Sequence, residues 1–282
     1  MQSSVIAEKI QPDLTEVTSP PAQVLTFIDD GKLLDTSNSA PLHRGVNLPF
    51  TIRLVRTEAH LSKAVQIRAQ AFLRHAPKLG AQLIEPEPAD RAAGNIVLLA
   101  ESKSTGSAEG SVRLETNLNV RTEFERIIDL PSFLREKTLA QASRLSVRPG
   151  PGSHLVKYAL IKAAYRYCLA TQVDYVLVAA RPPVDRDFIA LGFKEVFSEP
   201  TLLSFPSQGN KLLRLFSFDI VSGERRWRRI KHPLYKFMVE DYHPDIEIFS
   251  SIRGMWSTPR SRNRPSVRNL LDIDPAFGFP VV

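Results

Sequence analysis

The sequence predicts a mixed α/β domain built around one sheet. Strand-like alternations and helical stripes take turns between residues 49 and 220, and a Gly-Pro-Gly turn joins one strand directly to a helix. No internal repeat interrupts the series. A chain of 282 residues can form one large domain or two small ones. With 43% hydrophobic and 24% charged residues it has a globular composition, which excludes a collagenous, coiled-coil or wholly disordered protein. No run approaches the roughly 20 apolar residues of a membrane helix. The start of the chain carries acids and no apolar core, so it does not read as a secretory signal. The single cysteine, Cys168, excludes an intrachain disulfide and a multi-cysteine metal cluster. It reads as a small buried hydrophobe in a cytoplasmic protein.

Residues 1–48 mix Pro, Ser, Asp and Thr and read as an irregular extension with one apolar stretch at 24–28. Residues 51–56 alternate as a half-buried strand does. From 58 to 73, Leu61, Val65, Arg68, Ala69 and Phe72 fall on one helical stripe. The run 95–101 is a strand, 104–110 a Gly/Ser-rich turn and 111–116 its hairpin partner. A polar helical insert near 122–137 precedes a strand at 140–147. The turn Arg148-Pro149-Gly150-Pro151-Gly152-Ser153 then opens a helix at 154–170. An apolar strand at 175–180 follows, with a short helix at 185–191 closed by Gly192. Strands at 193–197 and 212–219 end the patterned core, 49–220.

Residues 221–282 form a basic C-terminal extension, loop-like around 259–265. From residue 204 onward there are 13 Lys/Arg against 8 Asp/Glu, most of the net +7. The densest piece is Arg225, Arg226, Trp227, Arg228, Arg229 and Lys231. Such a face suits nucleic acid, an anionic membrane or an acidic protein such as an acyl carrier; a merely solvated helix face looks the same.

The strand–turn–helix at 140–170 is the stretch richest in chemistry. Two glycines let backbone N–H groups approach a ligand, and the helix N-terminus favours an anion such as a phosphate; plain punctuation is the other reading. The six histidines lack metal-ligand spacing, so no metal is expected. His154 is the one histidine near the turn. Ser143 has no His–Asp pattern that would make it a nucleophile.

Over about residues 51–219 the chain resembles the GNAT superfamily of acyl-CoA N-acyltransferases. The resemblance rests on Leu145-Ser146-Val147-Arg148-Pro149-Gly150-Pro151-Gly152 and on Asp187-Phe188-Ile189-Ala190-Leu191-Gly192-Phe193, in that order. It implies a GNAT-like mixed central sheet flanked by helices. It also implies a phosphopantetheine thioester donor, held along Leu145, Val147, Arg148, Gly150, Gly152 and Ser153, and no permanently bound cofactor. Two departures from the pattern stand out. The glycines fall two and four residues after Arg148, not three and five, and Phe188 stands where many acetyl-CoA enzymes carry a tyrosine that reprotonates the thiolate. Both suit a donor other than acetyl-CoA, such as an acyl carrier protein, which lacks the CoA nucleotide.

Within the superfamily the chain resembles the long-chain N-acyl amino acid synthases and, more distantly, the acyl-homoserine lactone synthases. The matching residues are Arg68 with Phe72, Arg113 in Gly110-Ser111-Val112-Arg113-Leu114, Gln141-Ala142-Ser143-Arg144-Leu145, Asp90, and Tyr242-His243-Pro244-Asp245-Ile246. The resemblance implies Arg68, Phe72, Asp90 and Arg113 as acceptor-binding residues and Gln141, Ser143 and Arg144 as catalytic ones. Gln141 replaces a carboxylate often assigned the base role; it could orient the amine or a water. Alternation places Arg144 on the face of Ala142 and Ser146, opposite Leu145 and Val147. For Arg113 and Arg144, carboxylate recognition and a buried ion pair both remain open.

The expected reaction moves a fatty acyl group from acyl carrier protein or acyl-CoA to the amine of an amino acid or related small molecule. The basic extension would dock the carrier or touch a membrane, and no nucleic-acid partner is expected. The alternatives are an acyl-homoserine lactone-type autoinducer synthase using S-adenosylmethionine, and a degenerate GNAT-like shell that binds lipid or nucleic acid.

Overall fold

The computed structural model describes residues 45–199 and 201–249. The expectations for 1–44 and 259–265 lie outside the described residues. Strands β1 (Phe50–Leu54), β2 (Asn95–Ser102), β3 (Ala108–Thr116) and β4 (Leu139–Val147) form an antiparallel run. β5 (Tyr175–Ala180) joins β4 in parallel. β8 (Leu212–Asp219) is antiparallel to β5 and carries the two-residue strands β6 (Lys194–Glu195) and β7 (Leu203–Ser204). A parallel pair needs a long crossover, and α4 (Ser153–Ala170) supplies it.

The remaining helices are α1 (Glu58–His75), α2 (Pro77–Gln82), α3 (Glu123–Ile127), α5 (Asp185–Ala190) and α6 (Ile220–Arg229). α1 begins where Thr57 Oγ1 accepts the His60 N–H at 3.2 Å. The insert expected to be helical over 122–137 is an α-helix for five residues only. Its capping box, Thr122 with Glu125, starts it well, but the backbone is extended again at Ile128, shortly before Pro131. The strand expected at 193–197 makes ladder pairs only at Lys194 and Glu195.

Helices cover both faces of the sheet. On one, Leu98, Ala100, Leu114 and Ala140 meet Ala159, Leu160 and Ala163 of α4. On the other, Val97 and Leu99 meet Ala64 and Ile67 of α1, and Leu177 and Leu215 meet Phe124 and Phe205. Cys168 of α4 is fully buried, and burial pushes its thiol up to about 12.

The core runs past residue 220. Trp227, Met238 and Ile248 are buried in the α4-side cluster. The Ile52 N–H donates to the Asp245 carbonyl, and the Glu247 N–H to the Ile52 carbonyl, each at 2.8 Å. Residues 245–247 thus cover the outer edge of β1, which would otherwise expose unpaired backbone groups. Buried Lys162 donates to the Phe237 and Asp241 carbonyls, tying this segment to α4. Among the described residues no helix is long and apolar enough to cross a membrane.

Candidate functional site

β4 loses its regularity along both edges. Its ladder with β3 pairs Ser111 with Ser146 but Arg113 with Ser143, so Arg144 and Leu145 together oppose Val112. That is a bulge, and its first residue, Arg144, has φ 58°, a conformation such bulges usually assign to glycine. The strain costs about 1–2 kcal/mol. On its other edge β4 pairs with β5 only at Leu139, Ala140 and Gln141. Beyond Gln141 the two strands splay apart.

The bulge corrects the alternation read from sequence. Ala142, Leu145 and Val147 pack on the α4 side, whereas Arg144 reaches Glu87 and Ser143 reaches Glu115 on the α1 side. Arg144 does not share the face of Ala142, because the extra residue resets the two-residue period at that point.

Three buried arginines meet there. Arg68 of α1 donates through Nη1 and Nη2 to the two oxygens of Asp90, both at 2.8 Å. Arg144 Nε and Nη2 clasp Glu87 at 2.7 and 2.6 Å. Arg113 Nη1 donates to Glu87 at 2.9 Å and Asp90 at 3.2 Å, while its Nε and Nη2 engage Glu115 Oε1 at 3.0 and 2.9 Å. The cluster is formally neutral, with Arg68, Arg113 and Arg144 set against Glu87, Asp90 and Glu115. Burial alone would raise the Glu87 carboxyl; the Arg144 hydrogen bond and the charges of Arg113, Arg144 and Arg68 outweigh it and hold it below its ordinary value. Asp90 is lowered likewise: burial opposes, and Arg68, Arg113 and the Glu87 N–H prevail. The Arg144 guanidinium also lies 5.8 Å from the Phe72 ring centroid.

The residues expected to bind an acceptor therefore meet in space, but their arginine forks are filled by Glu87 and Asp90 rather than left open. Within the cluster two buried donors, Arg68 Nε and Arg144 Nη1, have no partner among the described residues. Glu87 is the residue the sequence reading missed. It sits in Glu85-Pro86-Glu87-Pro88-Ala89-Asp90, whose prolines stiffen the chain. Three arginines on core-facing positions were the available signal, since each needs a buried carboxylate.

Gln141 is buried and engaged elsewhere. Its Oε1 accepts the Phe124 N–H at 3.2 Å, and its Nε2 points to Glu123 Oε2 at 3.5 Å. Glu123 also holds the Ser207 hydroxyl and N–H. Cross-strand from Gln141 stands Glu115.

On the α4 side the splay opens over an apolar cavity with about 70 Å³ of free space. Ala142, Leu145, Val178, Phe188, Trp227 and Met238 are among the residues that line it. The turn at the head of α4 lies at the same end of β4. Gly150 and Gly152 have φ of 145° and 84°, and a Cβ on either would meet nothing within 4 Å. The turn is thus open to solvent, with the first N–H groups of α4 at its rim. The Arg148 side chain leaves this mouth and donates to the Ala108 carbonyl at 3.1 and 2.7 Å.

Topology alone places the motifs in register: one parallel pair in the run of β4, β5 and β8, a bulge beside a splay, and a glycine turn into the crossover helix. The fold is GNAT-like.

No family model matches the chain, and no curated protein matches it in sequence. Several solved structures are similar to it in three dimensions. FeeM, an N-acyl amino acid synthase from uncultured soil microbes, is 14% identical with a TM-score of 0.49, over 67% of this chain and 98% of that one. The CoA-dependent acyl-homoserine lactone synthase BjaI, with SAM and isopentyl-CoA, is 19% identical with a TM-score of 0.46, over 65% and 90%. NAA60 of Arabidopsis thaliana, in complex with acetyl-CoA, is 18% identical with a TM-score of 0.42, over 61% and 99%.

The basic cluster lies elsewhere. Arg225, Arg226, Arg229 and Lys194 border a groove with Tyr175 and Asp219, at the opposite end of β5 from the splay. Arg226 donates to the Gly192 carbonyl at 2.7 Å, and Arg228 to Tyr235 and Glu224. Arg181, directly after β5, and Arg186 of α5 are exposed, as are Leu155, Val184 and Ile189. α5 is held to α4 by Lys157 and Asp187 at 2.9 Å.

Proposed function

We propose that this protein is an N-acyltransferase that moves an acyl group from a pantetheine thioester to the amine of an amino acid or related small molecule. One observation carries the reading: the β4–β5 splay lies between an apolar cavity and an open glycine turn, with a bulged, polar β4 face behind it. A pantetheine arm is an extended chain with amide groups. It can pair with the strand edges that the splay leaves unpaired, placing its thioester beside the bulge, where the ladder leaves an extra residue without a partner. Backbone N–H groups there would stabilise the oxyanion of the tetrahedral intermediate.

The acyl group would enter the cavity. Its present free space equals roughly two water volumes, so a long chain requires Trp227 or Met238 to move. Leu145, Val147, Gly150, Gly152 and Ser153 would line the arm. Arg144 Nη1, buried and without a partner among the described residues, is the donor we assign to an acceptor oxygen, and Arg68 and Arg113 would position Glu87, the carboxylate that holds Arg144. The donor we favour is a carrier protein or a longer acyl-CoA rather than acetyl-CoA, because Phe188 lines the apolar cavity where many acetyl-CoA enzymes carry a tyrosine. An acidic carrier would meet Arg181 and Arg186 at the splay.

Mass spectrometry of lipid extracts from cells expressing the protein tests this reading. New N-acyl amino acids or related amides support it. Acyl lactones would favour the autoinducer alternative, and no new lipid would favour a non-catalytic shell.

A further inference from the structure

Forming an amide from a thioester and an amine releases a proton from nitrogen, so a site for this reaction needs a proton acceptor near the bulge. The α1-side face of β3 and β4 offers few candidates. Gln141 is an amide and cannot take a proton. Both oxygens of Glu87 are held by arginines, and both oxygens of Asp90 by Arg68, with Arg113 and the Glu87 N–H added. Glu123 accepts from Ser207 on both oxygens and from Gln141 on one.

Glu115 differs. Arg113 and Ser143 both engage its Oε1, at 3.0, 2.9 and 3.4 Å. Its Oε2 takes no hydrogen bond from any described residue, and it is not among the buried atoms without a partner. The side chain is 12% exposed. One oxygen is anchored and the other is open, one residue from the bulge through Ser143.

We infer that Glu115, supplied from β3 across the ladder from Gln141, is the proton acceptor of the reaction, a role that rests on the acyltransferase reading above. The amine lone pair forms the C–N bond to the thioester carbonyl carbon, and the carbonyl π electrons move to oxygen. The nitrogen, now ammonium-like and strongly acidic, passes one proton to Glu115 Oε2. The oxyanion collapses, the C–S bond breaks, and the proton returns from Glu115 to the departing thiolate. Because the proton comes from the strongly acidic nitrogen of the intermediate rather than from the free amine, the acceptor need not be a strong base. Arg113 and Ser143 anchor its other oxygen and so hold the carboxylate in place.

The neighbourhood accounts for the amide at 141. A carboxylate there would stand about as close to Glu123 as Gln141 Nε2 does, 3.5 Å, and like charges at that range repel.

The test uses the full-length chain with an acyl donor and acceptor on which the wild type is active. Glu115→Gln should lower kcat by ~10²–10⁴-fold, the usual contribution of a general base, with KM for the donor unchanged. Glu115→Ala should regain activity as formate is added, while the wild type does not respond. Glu115→Asp keeps a partner for Arg113 and should show a comparable loss if the other two variants do not fold. The inference is overturned if Glu115→Gln stays within about threefold of wild type, or if formate raises the Ala variant no more than wild type. A wild-type chain inactive with every donor and acceptor would instead refute the acyltransferase reading, and the two failures are distinguishable.

Discussion

Glu87 connects segments that are remote in sequence: its carboxylate is 57 residues from Arg144 and 26 from Arg113. Local pattern cannot show such pairs, which is why the three arginines were legible as unusual core residues while their partner was not. The bidentate grip on Glu87 also offsets the strain of Arg144 at positive φ. Removing one member of a buried ion network leaves the others desolvated and unpaired. Glu87→Ala should therefore destabilise the protein by about 3–5 kcal/mol, read as a lower midpoint in urea. A loss under about 1 kcal/mol, the range of a solvent-exposed pair, would mean that water reaches the arginines freely.

At the scale of elements, periodicity was a good guide wherever the chain is regular. The strands at 175–180 and 212–219 and the helix after the glycine turn stand where their patterns placed them. It failed where a single residue is added, since the bulge at Arg144 moves one side chain to the other face without changing composition. It also stopped too early: α6 is so rich in arginine that its buried stripe, Ile220, Gly223 and Trp227, is masked by charge. Packing of α4 on the sheet depends on Gly110, where a Cβ would lie 2.8 Å from the Ser146 carbonyl and 2.9 Å from Leu160 and Val156 side-chain carbons. Gly110→Ala should cost about 1–3 kcal/mol through overpacking and lower the melting temperature. Trp227 donates to the Leu191 carbonyl at 2.8 Å and closes the apolar cavity. Trp227→Ala should cost about 3–5 kcal/mol and, in competition assays, shift donor preference toward longer acyl chains. An unchanged preference would place the acyl group elsewhere.

For the whole molecule, the arginine–carboxylate cluster couples stability to pH. Glu87 and Asp90 have ordinary values of 4.5 and 3.8, and both are lowered in the folded protein. Below those values the unfolded chain binds protons that the folded chain does not. Their stabilisation is thus complete above about 4.5 and is lost as pH falls through the lowered folded values. Thermal melts should show a steep acid limb below pH ~4.5 that flattens in Glu87→Gln; an equally steep limb in the variant would assign acid sensitivity to other groups.

On the proposed function, an acyl thioester reacts with an amine at the splay of β4 and β5. The most direct measurement follows purified protein with acylated carrier protein and a panel of amino acids, recording free thiol and amide product together. The expected result is one thiol per amide, dependence on the amine, and loss of both when Ala142→Trp fills the cavity in a chain that still melts cooperatively. Thiol release without amide, or full turnover in the folded Ala142→Trp chain, would contradict it.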